Sequence, residues 1–423
     1  EKKFRDYMQI YVISMFLLAG SALLSLDMTF LLYFFALYFL AAISIVFLAY
    51  YSQDEYLSVS RKSAIKISTG ALLIPLVAIP MTLLLFIVLP RSQYPLWNFL
   101  NQSSGAKTGF TDNIELGGVF AIQEDSAIIM RVAMPQVNEQ YLYWRGIVLD
   151  HFNGTSWSRK GYEHKKAGVL FQPSGQSIAQ TIYLEPYENR YLFALDKPFK
   201  IDMKDAVLSR DLTITLPKPL EQRVKYTALS VLSDRIAEKN LFAAPYLQLP
   251  AISEEIKNLS KKLTAGKKEY EAAHAVNSFL RSGEFRYSLD MLPVSKKPME
   301  DFLLKQKYGN CEYFASAMAV LLRSSGIAAR LAGGYKGGYY NTVGKYYMVP
   351  QKNAHVWVEA YIDGQWLRFD PTPGYANSGR QLLKLQLFFD SINYHWNAFV
   401  INYDFKKQTS LFRKIGSGLK NLK

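Results

Sequence analysis

Three long apolar runs without a charged residue occupy the first ninety positions of the chain, at residues 7–26, 28–53 and 67–90. A helix needs about 20 apolar residues to cross the hydrocarbon core of a bilayer, and each run is at least that long. One such run could be a buried helix of a globular protein, but three in succession are typical of a membrane anchor. We therefore expect transmembrane helices at about 7–26, 28–51 and 67–89, within an anchor that comprises residues 1–90.

The basic residues beside these runs predict the orientation of the anchor. Three basic residues precede the first run, and Arg61, Lys62 and Lys66 separate the second run from the third. Because loops rich in Lys and Arg remain on the cytoplasmic side, we expect a cytoplasmic amino end and an extracytoplasmic location for everything after about residue 90. The chain begins with Glu1 rather than Met, so we also expect that a segment of the protein precedes it.

Excess positive charge is concentrated outside the predicted anchor. The net charge is +14, and residues 1–90 contribute only one unit of it, with six Lys and Arg against five Asp and Glu. In a cytosolic protein this excess would suggest nucleic acid, but outside the membrane we expect no nucleic acid partner. Anionic lipid headgroups or acidic envelope polymers fit better. A solvated basic surface without a particular partner is the alternative.

Short runs rich in Ile, Val, Tyr and Thr follow between about residues 115 and 236, separated by turn residues such as Asn153-Gly154. This pattern predicts antiparallel strands. We assign residues 91–245 to an extracytoplasmic β-rich domain, with a sandwich as the expected form.

Helical periodicity returns after Ser253 and predicts two helices, the second ending near Ser282. These helices open a predicted catalytic domain at residues 246–378. His274 lies on the second helix without a partner at metal-ligand spacing, so we expect it to be a packing residue. An aromatic and basic segment at 379–423 completes the chain and is predicted to lead back toward the membrane. Its alternative is a helix packed on the catalytic domain.

Cys311 is the only cysteine in the sequence, which excludes an internal disulfide and a cysteine-based metal cluster. The surrounding stretch predicts a helix that Asn310 caps and that ends at Gly326. Cys311 would then lie in the first turn, where unpaired amides and the helix dipole stabilise a thiolate. For a lone cysteine the alternative is a small buried hydrophobic residue.

A β-hairpin is predicted downstream, with its turn at Asp363-Gly364. Because side chains alternate along a strand, His355, Trp357 and Glu359 share one face. A two-residue turn pairs Glu359 with Arg368 on the second strand.

The same register places Asp370 diagonal to His355, within reach of its imidazole. A thiol at a helix start, an imidazole and an orienting carboxylate together predict nucleophilic catalysis by Cys311, His355 and Asp370. Taken singly, His355 could be an ordinary edge-strand histidine and Asp370 a turn residue before Pro371.

Two segments, "GNCEYFASAMAVLLRSSGIAARLAGGY" and "AHVWVEAYIDGQWLRFDPTP", resemble the transglutaminase-like core, a papain-related cysteine fold, over about residues 250–375. The flanking segments "YWRGIVLDHFNGTSW" and "LFFDSINYHWNAFVINYDF" are similar to the bacterial membrane-anchored TgpA-like family. This resemblance implies a membrane-anchored α+β protein of the bacterial inner or plasma membrane. It would have amino-terminal transmembrane helices, an antiparallel β domain and a nucleophile helix packed on an antiparallel sheet.

By the same resemblance Cys311 is the nucleophile, His355 the base and Asp370 the orienting acid. We assign Trp357, Glu359 and Arg368 to cleft shape and hairpin support. No calcium-loop or metal-ligand pattern occurs in the sequence, so we expect neither a metal nor a cofactor.

The expected reaction is acyl transfer from a glutamine or peptide amide of an envelope protein or peptide, through a thioester on Cys311, to an amine or water. A cysteine peptidase or amidase acting on envelope proteins or peptidoglycan peptides is one alternative. A catalytically inactive binding scaffold is the other.

Overall fold

The computed structural model describes residues 4–24, 28–53, 59–88, 113–116, 127–160, 175–238, 240–289, 292, 295–373 and 390–391. The chain divides into two compact units, one comprising Glu1–Gln102 with Leu382–Lys423 and the other Ser103–Gln381. The predicted carboxy-terminal segment at 379–423 therefore lies outside the described residues, apart from 390–391.

In the first unit, the described part of each of the three apolar runs lies in a long helix. These helices are α1 (Phe4–Leu24), α2 (Met28–Gln53) and α3 (Arg61–Val88). Among the described residues, one stretch, Tyr33–Gln53 in α2, is long and apolar enough to cross a membrane by length and composition, with a mean hydropathy of 2.1. Tyr7–Leu18 in α1 is apolar but shorter. A helix is therefore present at each of the three predicted spans. Of these, α2 contains the stretch that is long and apolar enough to cross a membrane.

The described residues of the second unit are built around two six-stranded sheets. Its strands are β1 (Asn113–Glu115), β2 (Ile128–Ala133), β3 (Tyr143–Leu149), β4 (His151–Phe152), β5 (Ser156–Ser158), β6 (Ser177–Leu184), β7 (Tyr191–Leu192), β8 (Ala194–Leu195), β9 (Lys197–Asp202), β10 (Val207–Leu208), β11 (Ile214–Thr215), β12 (Val224–Val231), β13 (Arg235–Ala237), β14 (Arg286–Tyr287), β15 (Tyr308–Gly309), β16 (Ala329–Lys336), β17 (Tyr339–Asn341), β18 (Tyr346–Pro350), β19 (Ala354–Ile362) and β20 (Gln365–Phe369).

The two large sheets have different strand orders. Sheet I has the order β13-β20-β19-β16-β3-β8, and sheet II has the order β17-β18-β2-β6-β12-β9. Neighbouring strands within both sheets are antiparallel, as the alternating sequence pattern predicted. Three small sheets, β1-β5-β4, β10-β11-β7 and the parallel pair β14-β15, complete the strand pairing of the described residues.

The helices of the second unit pack either on sheet I or on the central helix α8, as far as the described residues show. They are α4 (Ala244–Leu247), α5 (Glu254–Thr264), α6 (Glu269–Leu280), α7 (Pro298–Glu300) and α8 (Cys311–Ser324), with a π-helical turn at Asp301–Gln306 and 3-10 turns at Glu139–Tyr141 and Gln351–Asn353. Helix α8 contacts β19 and β16 on one side and α5 and α6 on the other. It is buried over nearly its whole length because apolar or small residues occur all around it, and so it forms the centre of the hydrophobic core.

The arrangement of the sheets differs from the predicted division into a β-rich domain at 91–245 and a catalytic domain at 246–378. Sheet I pairs β3 from the first stretch with β16 from the second, and sheet II pairs β2 with β18. The predicted boundary thus lies within one compact unit whose two sheets both draw strands from each stretch. Alternation along a strand predicts that it pairs, but it does not specify a partner some two hundred residues away.

The close pairing of β3 and β16 depends on a glycine. A Cβ added at Gly334 would lie 1.9 Å from the main-chain oxygen of Trp144, far inside van der Waals contact. The register shifts by one residue between Gly333 and Gly334, as in a β-bulge. Glycine is therefore required here by the approach of the neighbouring backbone.

Candidate active site

Cys311 is the first residue of α8 and is completely buried. The side chain of Asn310 caps the helix by accepting a hydrogen bond from the amide of Glu312 at 3.2 Å. At the other end, Gly326 adopts a φ of +84°, the left-handed conformation that glycine favours after a helix. The predicted helix and both of its boundary residues are thus confirmed.

His355 lies on β19, the strand with which α8 makes most of its contacts to the sheets. The hairpin register is as predicted, with Ile362 opposite Gln365 and Glu359 opposite Arg368. The turn residues Asp363 and Gly364 both have positive φ, at 49° and 77°. Since both central residues of a type I′ turn require this conformation, the Asp-Gly pair accounts for the register.

Asp370 follows β20 directly and contacts His355, with its Oδ2 2.9 Å from His355 Nε2. An ionised carboxylate only accepts hydrogen bonds, so this contact assigns the imidazole proton to Nε2. The predicted diagonal juxtaposition of the two residues is therefore present in the structure.

Two further side chains donate to the same carboxylate oxygen. The Tyr143 hydroxyl lies 2.8 Å from Asp370 Oδ2, and Lys336 Nζ lies 2.6 Å from it. The other oxygen, Oδ1, accepts from the amide of Thr372 at 3.2 Å. Arg281, the residue that follows α6, holds the adjacent main chain by donating to the carbonyl oxygens of Asp370 and Thr372, at 3.0 Å each.

These contacts set the charge states of the pair. Burial acts to raise the pKa of Asp370, but the charges and hydrogen bonds of His355 and Lys336 outweigh it and place that pKa well below its ordinary value. Burial lowers the pKa of His355, and the Asp370 carboxylate offsets this only in part. At neutral pH the site therefore holds an ionised carboxylate beside a neutral imidazole, which is the state of a general base.

Trp357 lies next to His355 on the same face of β19. It is buried in a small cluster with Tyr143, Val148 and Ala332. Its ring is 6.5 Å from the His355 ring at an interplanar angle of 20°, and 5.1 Å from the Tyr143 ring in an edge-on arrangement. Trp357 thus packs against two of the rings that surround Asp370.

Glu359 lies further along the same face, in a buried cluster of charges. The cluster contains two carboxylates and four cationic side chains, from Glu359, Asp196, Arg145, Lys197, Arg330 and Arg368. Arg330 Nε lies 2.8 Å from Glu359 Oε2, and Arg145 contacts both carboxylates.

Arg368 joins this charge cluster to the catalytic face. It pairs with Asp196, and its guanidinium carbon lies 4.1 Å from the centre of the Tyr143 ring. Cations above aromatic rings are held by the ring quadrupole. Tyr143 is therefore held between Arg368 and the carboxylate of Asp370.

Sequence reasoning missed Tyr143, Lys336 and Arg281 around Asp370, and Arg145, Asp196, Lys197 and Arg330 around Glu359. A signal was present at two places: Arg145 interrupts the apolar run "YLYWRGIVL", and the Asp196-Lys197 pair interrupts "LFALDKPF". A charge within a strand buried on both faces requires a buried partner.

Two further features concern His274 and metal binding. His274 is exposed, and its ring lies near those of Tyr270 and Phe369, with ring centres 4.5 and 5.2 Å away. Among the described residues, no group of three or more His, Cys, Asp or Glu side chains is arranged to hold a metal ion.

A helix that begins with cysteine and packs on an antiparallel sheet carrying a His-Asp pair defines the transglutaminase-like class. The family model described as the transglutaminase-like superfamily matches residues 257–371. Within that class the chain belongs to the TgpA family, because the model of the TgpA N-terminal domain matches residues 1–237, more than half of the chain.

Individual relatives agree with this assignment. The protein-glutamine gamma-glutamyltransferase of Pseudomonas aeruginosa is 27% identical over 387 residues, which cover 81% of this chain and 56% of that protein. The uncharacterized protein YebA of Bacillus subtilis is 38% identical over 151 residues, 33% of this chain and 20% of that protein. The chain therefore spans little more than half the length of the first relative and a fifth of the second.

The crystal structure of the periplasmic domain of TgpA from Pseudomonas aeruginosa has the same fold. It matches with a TM-score of 0.58 and 27% identity, over 62% of this chain and 94% of that domain. This likeness, together with the apolar helix in α2, indicates a membrane-anchored protein with an extracytoplasmic domain.

Proposed function

We propose that this chain is an extracytoplasmic cysteine acyltransferase of the transglutaminase type, with Cys311 as nucleophile, His355 as general base and Asp370 as orienting acid. The acyl donor would be a glutamine or peptide amide of an envelope protein or peptide. The acceptor would be an amine. The relative from Pseudomonas aeruginosa that is named a protein-glutamine gamma-glutamyltransferase supports this choice of reaction.

The contact between His355 Nε2 and Asp370 Oδ2 is the observation that carries the proposal. With the proton on Nε2, Nδ1 is the nitrogen that takes a proton from the thiol. The position of Cys311 at the start of α8 adds main-chain amides and the helix dipole, which stabilise the thiolate and the oxyanion that forms on the carbonyl oxygen.

The reaction would then proceed in two steps. In the first, the Cys311 thiolate attacks the amide carbon, the C–N bond breaks, and the His355 imidazolium donates its proton to the departing nitrogen, which leaves as ammonia from a glutamine or as an amine from a peptide amide. In the second, an amine attacks the thioester carbon while His355 accepts its proton. The C–S bond breaks, and the thiolate is regenerated with an isopeptide bond in the product.

Trp357, Glu359 and Arg368 would support this site rather than take part in the chemistry. Trp357 packs beside the imidazole, Arg368 covers the Tyr143 ring, and Glu359 neutralises buried cations beneath the hairpin. No cofactor or metal is needed for either step.

Three membrane spans, with the amino end in the cytoplasm and residues after about 90 outside it, complete the proposal. Apolar side chains on the helices of the first unit support it: Phe16 is 75% exposed and Val77 70% exposed, as expected for surfaces that face lipid. Membrane lipid would thus be one partner and an envelope protein or peptide another. Anionic envelope polymers, rather than nucleic acid, would match the basic exterior.

Incorporation of a fluorescent primary amine into a glutamine-rich protein tests the reaction. The full chain, purified in detergent, should incorporate the amine, and Cys311→Ala should not. Ser325→Ala, at the other end of α8, is the matched control and should retain activity. Peptide cleavage without amine incorporation would identify a cysteine peptidase or amidase instead. A wild-type chain that neither incorporates the amine nor cleaves peptides would indicate an inactive scaffold.

A further inference from the structure

Asp370 Oδ2 lies at the centre of a clamp formed by three elements. His355 from β19, Tyr143 from β3 and Lys336 from the end of β16 all contact this one oxygen, at 2.9, 2.8 and 2.6 Å. The Asp370 carboxylate is largely buried, and Lys336 keeps about a fifth of its side chain exposed. A transglutaminase-type mechanism assigns roles to His355 and Asp370, but none to Lys336.

The structure holds the Lys336 ammonium in place from several directions. Lys336 is paired with Tyr143 in the β16–β3 ladder, and its carbonyl accepts a hydrogen bond from Asn353 Nδ2 at 2.8 Å. Its Nζ also lies 5.2 Å from the centre of the Tyr143 ring. The next residue, Gly337, donates its amide to the Leu142 carbonyl at 2.7 Å. The backbone on both sides of the clamp is therefore fixed.

A fixed ammonium at this position opposes protonation of the imidazole. Lys336 Nζ and His355 Nε2 contact the same oxygen, so they lie within about 5.5 Å of each other. At that distance, repulsion between two unit charges corresponds to about half a pH unit with the dielectric constant of water and about two with an effective dielectric constant of 20. The Asp370 carboxylate acts in the opposite direction on the imidazole.

The titratable and charged groups that influence protonation of the His355 imidazole come from the elements packed around it. They are Asp370 after β20, Lys336 on β16, Tyr143 on β3, and Cys311 and Glu312 on α8. Arg368 on β20 and Arg281 immediately after α6 contact the surroundings of Asp370.

We propose that Lys336 is a positioning residue: it holds the Asp370 carboxylate against His355 and offsets its charge, so that the imidazole stays able to accept a proton at neutral pH. This inference rests on the proposed function for the meaning of that proton transfer. The electrostatic effect itself does not depend on which acyl group is transferred.

The direct test is an NMR titration of the His355 imidazole nitrogens in the full chain in detergent, with the resonances assigned by their loss in His355→Gln. Lys336→Met should raise the titration midpoint by about half a pH unit or more. Lys336→Arg retains the charge and should stay close to the wild type. Lys305→Met is the matched control, because Lys305 also lies 2.8 Å from an aspartate but is 70% exposed, and it should cause no shift.

The pH profile of kcat/KM for amine incorporation is the second readout. Lys336→Met should move its acidic limb to higher pH by the same amount as the titration midpoint. A purely structural role would lower activity at every pH without moving the limb. An unchanged His355 midpoint in a folded Lys336→Met protein overturns the inference. If Lys336→Met does not fold, Lys336→Gln takes its place in the titration. A His355 midpoint in Lys336→Gln that equals the wild-type value then overturns the inference.

The two proposals fail in different ways. A wild-type protein that neither incorporates amine nor hydrolyses peptides contradicts the proposed function, whereas the NMR titration still decides the effect of Lys336. An active wild type with an unshifted His355 titration contradicts the role of Lys336 alone.

Discussion

Replacing Glu359 by Gln should strongly destabilise the second unit. Glu359 is completely buried and faces Arg145, Arg330 and Lys197, so it is one of only two carboxylates among four cations in its cluster. Glutamine has nearly the same size and shape. The substitution therefore removes the charge and leaves the packing almost unchanged.

The expected loss follows from the burial of the partners that remain. Removing one partner of a buried ion pair costs about 3–5 kcal/mol, because the other charge is left in a medium that solvates it poorly. The unfolding entropy of a unit of this size, Ser103–Gln381, converts this to a fall in Tm of roughly 5–10 °C. Thermal unfolding of the full chain in detergent, followed by tryptophan fluorescence, measures it.

Glu185 provides the matched control. It pairs with Arg223 at 2.8 Å and with Arg131 at 3.5 Å, but these side chains are partly exposed. Exposed pairs contribute about 1 kcal/mol or less, so Glu185→Gln should change Tm by no more than about 2 °C. Equal melting temperatures for Glu359→Gln and Glu185→Gln would refute the claim that burial of the charge cluster makes the Glu359 carboxylate essential for stability.

Acid should reduce the difference in the free energy of unfolding between Glu359→Gln and the wild type. Burial opposes ionisation of Glu359, but Arg145, Arg330 and Lys197 outweigh it and lower the pKa of that carboxyl well below its ordinary value. A group with a lowered folded-state pKa stabilises the protein above its unfolded-state pKa, and this stabilisation is lost as the pH falls. The difference in the free energy of unfolding between the two proteins should therefore become smaller below about pH 4.

Four further substitutions have expected outcomes. Burial lowers the pKa of Lys197 from 10.5 to about 8, so Lys197→Met should raise the free energy of unfolding at pH 7 by up to about 3 kcal/mol. In urea titrations the wild type should regain that stability as the pH rises above 8, and the variant should not. Gly334→Ala should lower the free energy of unfolding by about 3 kcal/mol or more, because its Cβ would meet the Trp144 oxygen. Gly364→Asn lies at an open turn and should lower it by less than about 1 kcal/mol. Melting temperatures distinguish the two variants. Asn310→Ala should lower stability by about 1 kcal/mol through loss of the cap on α8, measured in the same urea titrations.

Local patterns were sufficient to predict the core of the candidate site. The cap of α8, its final glycine and the Asp-Gly turn depend on residues adjacent in sequence. The turn then sets the register that brings His355 to Asp370, because pairing in a hairpin propagates from its turn. The three apolar runs likewise predicted, within a few residues, the three helices among the described residues of the first unit, because the length and hydrophobicity of each run are local properties.

The surroundings of the site required the tertiary structure. Tyr143 contacts Asp370 across 227 positions of sequence, and Arg145 contacts Glu359 across 214. Both contacts arise because β3 enters sheet I beside β16, a pairing that no local pattern encodes. Strand alternation specifies which face a side chain occupies, but the neighbouring strand determines which charge it meets there. The sequence therefore identified the candidate nucleophile, base and acid, whereas the fold alone revealed the lysine and tyrosine that hold the acid in place.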